Sequence, residues 1–168
     1  MEQLDDSMER ALEDWRQGRA SLDQLRKLAG ELGERHFAAG IPALVQLLDH
    51  DDEIVRYHAA MSLGFDLNYK PATNKLLAML AEDTDEDVRD VAAGALRNLW
   101  ESTKDRHVLG ALATSALNDP DEDIRKSAYS ALLIVNGVPR EEHLQLLTGG
   151  SLPVDPARVR AILADATG

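Results

Sequence analysis

Hydrophobic positions recur at helical spacing along this chain, and three segments of the pattern superimpose. Val55, Val88 and Ile124 anchor the alignment, at intervals of 33 and 36 residues. Small and apolar residues follow each anchor after four and eight positions, and they are Ala59, Ala92, Ala128, Leu63, Leu96 and Leu132. This spacing places each set on one face of a helix. The pattern predicts helix pairs that bury their apolar faces only by stacking on neighbouring pairs.

The same periodicity continues outside the three repeats and predicts about ten helices in five antiparallel pairs. No segment alternates with period two, so we predict an all-α fold, an α-solenoid, that forms one domain over residues 1–168. Residues 41–135 hold the three repeats, and we expect capping helix pairs at 1–40 and 136–168. The N-terminal pair lacks the repeat signature, as an end unit that shields an open face would.

Start and stop signals support these boundaries. Ser21 and Gln24 have the spacing of a capping box that opens a helix. Asp155-Pro156 combines an N-cap residue with proline at the first helical position. Asn136-Gly137 and Gly149-Gly150 are typical helix stops.

An acidic turn precedes each anchor. Asp52, Asp85 and Asp121 stand three residues before the anchors, where a carboxylate would accept the first free N–H groups of a helix. We therefore interpret the acidic turns as helix caps. An alternative is a calcium loop, because two turns have the spacing Asp-x-Asp-x-Asp, although both lack its Gly at the sixth position and Glu at the twelfth.

One arginine follows each anchor. Arg56, Arg89 and Arg125 would stack as a ladder one repeat apart. We expect each guanidinium to bridge to an acidic turn of its own or of a neighbouring repeat, since these turns offer many carboxylates. A phosphate-binding strip is the alternative.

The segments that carry the repeat resemble the HEAT-repeat family, particularly its short bacterial form related to phycobilin lyase repeats. They read LVQLLDHDDEIVRYHAAMSLG, LLAMLAEDTDEDVRDVAAGAL and LATSALNDPDEDIRKSAYSAL. The first departs from the pattern at His50, where the other two have Asp83 and Asp119. The resemblance implies a right-handed α-solenoid whose second helices line a concave groove, and usually a protein-binding role. It implies no activity, because a fold does not settle a function.

Composition narrows the classes of partner. The formal net charge is −12, which disfavours nucleic acid and anionic membranes as partners. The chain has no cysteine, no secretory signal pattern and no apolar run of membrane-spanning length, so we expect a cytoplasmic protein. We find no helical metal pair of histidines and no nucleophile motif, and we expect no catalytic residue, metal or cofactor.

The positions that the repeat does not prescribe are the best candidates for a functional surface. On the second helix of the first repeat they are Tyr57, His58 and Met61, and Phe65 follows one turn later. We predict that these four residues bind a partner and that Asp90 extends the surface along the next repeat, because exposed aromatic clusters mark contact sites. The alternative is structural, with Phe65 packed on a neighbouring pair and Tyr57 covering a seam.

We therefore predict a non-enzymatic protein–protein interaction module that binds a partner, a basic one, through its concave groove. Acidic edges would steer such a partner. The sequence leaves the oligomeric state open, with a monomer favoured. One alternative is a ligand-handling protein or enzyme like the phycobilin lyases, which would need a ligand-sized cavity. Another is a DNA glycosylase built on HEAT-like repeats, which would need a basic groove.

Overall fold

The computed structural model describes residues 2–146 and 152–167, and within those ranges it contains α-helices and no strand. The helices are α1 (Glu2–Arg16), α2 (Leu22–Glu34), α3 (Ile41–Leu47), α4 (Glu53–Met61), α5 (Thr73–Glu82), α6 (Glu86–Trp100), α7 (Arg106–Asn118), α8 (Glu122–Val135), α9 (Arg140–Gln145) and α10 (Pro156–Thr167). The all-α class and the helix pattern are confirmed. The handedness and the division into one domain with capping pairs stay predictions.

The start and stop signals act as the sequence predicts. Ser21 and Gln24 form both hydrogen bonds of a capping box at the start of α2. The Asp155 carboxylate accepts from the backbone N–H groups of Ala157 and Arg158. Helix α8 ends immediately before Asn136. The predicted stop at Gly149-Gly150 lies outside the described residues.

The chain forms two compact units, Met1–Ala72 and Thr73–Gly168. In the first unit, α2 packs against α1 and α4, and α3 packs against α4. The boundary between the units falls between helix pairs, because the first unit contains α1 to α4. Both helix pairs of the first unit, α1–α2 and α3–α4, are thus complete.

In the second unit, α5 pairs with α6 and α7 pairs with α8, while α6 also packs along α8. The last two helices join different members of the preceding pair, since α9 packs on α8 and α10 on α7. Val159 on α10 is fully buried. An ion pair between Arg158 and Glu142 connects α10 to α9.

The repeat anchors form the core, as predicted. Each of the six anchor and leucine positions is at most 4% exposed, and these residues are Val55, Val88, Ile124, Leu63, Leu96 and Leu132. The alanines between them are also buried, which removes side-chain bulk where helices approach. Helices that approach closely at these alanines can fill the core although the chain has few aromatic residues.

Helix α4 ends earlier than its apolar periodicity predicts. A π-helical turn, Ser62–Asp66, follows it and carries Phe65. The Ser62 hydroxyl donates to the carbonyl of Ala29 on α2 at 2.6 Å. Gly33 of α2 lies so close that an added Cβ would stand 2.2 Å from Ser62 Oγ. We attribute the altered winding to this contact, which holds the chain against α2.

Candidate functional site

The three acidic turns have one geometry, and its first element is the N-cap. Asp52, Asp85 and Asp121 accept from the backbone N–H groups at the start of α4, α6 and α8. Hydrogen bonds from Ile124 and Asp123 lower the pKa of Asp121, because they favour the carboxylate. The capping interpretation of these aspartates is confirmed.

The second element is the arginine after each anchor. Arg56, Arg89 and Arg125 donate from Nη1 to the backbone carbonyl six residues earlier, at 2.8, 2.9 and 2.6 Å. Arg56 and Arg125 also donate to the next carbonyl along the turn. Each arginine therefore bonds to the acidic turn of its own repeat, but through backbone carbonyls rather than through the carboxylates that were expected.

The third element is the residue five positions before the anchor. Asp83 and Asp119 accept through Oδ1 from the backbone N–H two residues later. His50 accepts the equivalent hydrogen bond, from the Asp52 N–H, through Nδ1 at 3.0 Å. His50 thus keeps the hydrogen bond within the turn, and an imidazole nitrogen replaces the carboxylate oxygen as its acceptor.

Two ion pairs join these turns to the preceding pair of helices. Arg89 on α6 binds the Asp119 carboxylate with Nε at 2.9 Å and Nη2 at 3.2 Å, and both side chains are nearly buried. This agrees with the prediction that Arg89 pairs with an acidic turn. Arg26 on α2 binds Asp52 in the same two-point manner, at 3.0 and 2.6 Å.

The hydrogen bond from Arg26 lowers the pKa of Asp52 to about 2. Arg26 is not among the predicted ladder residues, although the sequence carries a signal for it. Leu25, Arg26 and Ala29 repeat the spacing of anchor, arginine and alanine found in the three repeats.

The carboxylates of Asp52, Asp85 and Asp121 cap helices, and those of Asp52 and Asp119 form ion pairs. Within the described ranges, no group of three or more His, Asp or Glu side chains is arranged to hold a metal ion. Asp85 and Asp121, the middle aspartates of the two candidate calcium loops, each accept a backbone N–H group through Oδ1. The structure therefore gives no support to the calcium-loop alternative.

The predicted partner-binding residues share a stripe along α4 and the π-helical turn. Tyr57, His58, Met61 and Phe65 are all partly exposed. Ile54 begins the same stripe, at helical spacing from His58 and Met61, and is 38% exposed. Ile54 is not among the predicted binding residues, but the other repeats have Asp87 and Asp123 at this position, which marks it as a surface position. We refer to these five residues, Ile54, Tyr57, His58, Met61 and Phe65, as the α4 stripe.

Two rings at the centre of the α4 stripe hold each other in place. The rings of Tyr57 and His58 meet edge to face, with centroids 5.6 Å apart and an angle of 86° between their planes. His58 also lies against α2, because a Cβ added at Gly30 would stand 3.6 Å from its Nδ1. The stripe is thus a supported surface whose rings retain partial exposure.

Asp90 is exposed on α6. This helix belongs to the second unit, so the proposed extension of the α4 stripe by Asp90 stays a prediction.

One serine–histidine contact resembles part of a catalytic arrangement. Ser130 Oγ on α8 lies 3.0 Å from His143 Nε2 on α9. Burial lowers the pKa of His143, and the positive charge of Arg97 lowers it further. Within the described residues no carboxylate hydrogen-bonds the other ring nitrogen, so this pair lacks the orienting group of a triad. We assign the contact to the attachment of α9.

Comparison with known proteins identifies a family. A family model described as HEAT repeats matches residues 10–97. The match begins within α1 and includes α2, so it reaches into the N-terminal pair that the sequence analysis treats as lacking the signature. A comparison with curated proteins finds no match to this chain. Among the helices of residues 2–146 and 152–167, none combines the length and apolar character needed to cross a bilayer.

Proposed function

Because this chain belongs to the HEAT-repeat family, we propose that it is a non-enzymatic module that binds another protein. HEAT repeats commonly serve as scaffolds for protein interactions. The observation that carries the proposal for this chain is the α4 stripe, where five largely apolar or aromatic side chains are partly exposed along one helix and its π-helical turn. Aromatic and methionine side chains are enriched at protein interfaces.

The geometry of the α4 stripe supports an anchor role. The edge-to-face contact limits the conformations of Tyr57 and His58 before binding, so fewer of their rotamers remain to be fixed by a partner. Ile54 and Met61 extend the apolar surface on either side of the rings. In the proposed complex, the partner covers this stripe in the concave groove that HEAT-type second helices line.

The partner that we propose is basic. The net charge of −12 would accelerate the encounter with a positively charged protein and would disfavour an acidic one. This electrostatic contribution acts on the association rate, whereas the α4 stripe would determine the rate of dissociation.

The first test identifies what lies against the stripe. A photoreactive benzoylphenylalanine in place of Tyr57 should cross-link to a basic protein in cells of the source organism. The same group in place of Tyr69, which is also half-buried but lies outside the stripe, should not capture that protein. Equal capture from both positions would contradict a binding surface on α4.

The second test measures the contribution of one ring to affinity. We expect Tyr57→Ala to weaken binding of the captured partner about thirtyfold, the loss typical of an aromatic anchor. The Tm should change little, because the Tyr57 ring is only partly buried. Tyr69→Ala serves as the matched control. A Tyr57→Ala protein with lowered Tm and unchanged affinity would make Tyr57 a packing residue.

A further inference from the structure

Helix α2 borders the α4 stripe. A Cβ added at Gly30 would stand 3.6 Å from Nδ1 of His58, so this glycine lies beside the centre of the stripe. Three exposed residues share this face of α2, at helical spacing before and after the glycine, and they are Asp23, Lys27 and Glu34. We call these three residues the α2 row. Helix α2 therefore offers no side chain in the middle of the α2 row, at the place where the His58 ring approaches it.

The α4 stripe is poorly suited to an extended ligand. Its main chain is bonded within α4 and the π-helical turn, and the described ranges contain no strand edge on which another strand could pair. Ile54 and Phe65 have no hydrogen-bonding side chain, and the Met61 thioether is only a weak acceptor. An extended segment on the stripe would therefore bury its own N–H and C=O groups without partners. A helix bonds its own main chain and avoids this cost.

The spacing of the stripe also matches a helix. Its members stand at positions 54, 57, 58, 61 and 65, which form one face over about three helical turns. Such a face packs against a second helix whose apolar side chains recur at the same spacing. The gap at Gly30 leaves space for a large side chain of that helix, next to the His58 ring.

The α2 row presents more negative than positive charge. Lys27 pairs with Glu31 of its own helix at 3.7 Å, and Arg26 binds Asp52 at 2.6 Å. Arg26 also lies 3.6 Å from Asp23, but the Asp23 side chain stays 93% exposed. The bases of α2 near the stripe are thus already paired, while carboxylates of the row face solvent.

Both ends of the α4 stripe are acidic as well. Glu53, at its start, is exposed, and Asp66, at its end, is partly exposed. Positive groups on the borders of a bound helix would therefore be attracted. A second copy of this chain, seated on the same surface, would instead bring like charges together.

We propose that the α4 stripe binds an amphipathic helix of the partner, with apolar residues on one face and lysines or arginines along its borders. This inference rests on the proposed function and specifies the segment that the partner presents. The apolar face of the helix covers Ile54, Tyr57 and Met61, and one large side chain fills the gap at Gly30.

Model peptides test the proposal on the full chain without a known partner. The probe is a Leu/Lys peptide of about four helical turns whose leucines share one face. At about 150 mM NaCl, where long-range charge effects are screened, it should shift the backbone amide signals of residues 23–34 and 53–66. Two peptides of equal length serve as controls. One has leucine and lysine in strict alternation, which gives an apolar face only when extended, and the other has glutamate in place of lysine. Both should bind at least about tenfold more weakly.

Two variants separate binding from folding. Ile54→Asp introduces the residue type that the other two repeats carry at this position, so the Tm should stay the same while the helical Leu/Lys peptide binds about tenfold more weakly. Gly30→Leu fills the gap, because a Cβ there makes only an ordinary contact. It should weaken binding to a similar extent without lowering the Tm, since leucine favours a helix more than glycine does. Gly110→Leu, on α7, is the matched control and should bind like the parent.

Four results would overturn the proposal. They are tighter binding of the alternating or the acidic peptide, no amide shift at the stripe with any peptide, unchanged affinity in both variants, and a dimer of this chain that Ile54→Asp dissociates. None of the first three would contradict the proposed function if benzoylphenylalanine at position 57 still captured a protein in cells. Conversely, specific binding of the helical peptide with no protein captured would count against the proposed function alone.

Discussion

At the scale of single residues, the repeat is defined by a small hydrogen-bond circuit. An aspartate caps the second helix, and an arginine donates to a backbone carbonyl of the turn. The residue five positions before the anchor accepts a backbone N–H within the same turn. The circuit satisfies main-chain groups that would otherwise lack partners at the start of each second helix. Its charged members are therefore structural residues first.

The ion pair between Arg26 and Asp52 should make the stability of the protein depend on pH. The hydrogen bond from Arg26 depresses the pKa of Asp52 from 3.8 to about 2, so the ionised carboxylate is favoured in the folded state. This contribution to stability is complete above the ordinary pKa and is lost as the pH falls through about 2. Arg26→Met should return the pKa toward its ordinary value.

Carbon-detected titration of the Asp52 carboxyl measures this shift directly. Urea unfolding should show Arg26→Met to be less stable than the parent near pH 5, with a difference that shrinks as the pH falls toward about 2. A stability difference that stays constant across this pH window would show that Arg26 acts through packing alone.

At the scale of elements, α2 and the π-helical turn approach each other so closely that only glycine fits at position 33. Ser62 reaches the Ala29 carbonyl, and Gly33 provides the space for it. π-helical turns occur often at functional sites, and this one carries Phe65 of the α4 stripe. Packing against α2 therefore positions the end of the candidate surface.

Gly33→Ala should destabilise the protein by about 1–3 kcal/mol, because the added methyl group overlaps Ser62 Oγ and Asp66 Oδ2. Gly110→Ala on α7 is the matched control, since a Cβ there meets nothing within 4 Å. It should stabilise the protein by roughly 0.5–1 kcal/mol through helix propensity. Urea denaturation compares the two, and equal effects would mean that α2 shifts freely at this contact.

The elements also show what the sequence could predict. Periodicity identified the anchors and their burial, and the acid-then-arginine order identified the caps and the Arg89 pair, because these interactions are local or repeat along the chain. The periodicity did not predict the π-helical turn, because that turn depends on a contact between Ser62 and Ala29, which lie 33 residues apart in the sequence. The burial of the Ser115 hydroxyl also depends on packing between helices, which the sequence pattern does not specify.

At the scale of the whole molecule, the charge is strongly unbalanced. The 30 acidic residues exceed the 18 lysines and arginines, and the net charge is −12. Such an excess destabilises a compact state through self-repulsion. The ion pairs of Arg26 and Arg89 offset part of it locally, and the remainder acts at longer range.

We therefore expect moderate salt to stabilise this protein. Raising NaCl from about 10 to 300 mM shortens the Debye length to less than 10 Å and screens the repulsion, so the Tm should rise. Sucrose at matched osmolality is the control for effects on water activity. A Tm that falls with NaCl would mean that exposed ion pairs outweigh the excess charge.

The histidine in the first acidic turn has a consequence for how such repeats diversify. What the position requires is a lone pair directed at a neighbouring amide, and imidazole and carboxylate supply it equally well. A histidine at this position removes one negative charge from the turn and keeps the hydrogen bond within it. In the first repeat the exchange therefore changes the electrostatic surface that a partner would meet, whereas at Asp119 it would also break the ion pair with Arg89.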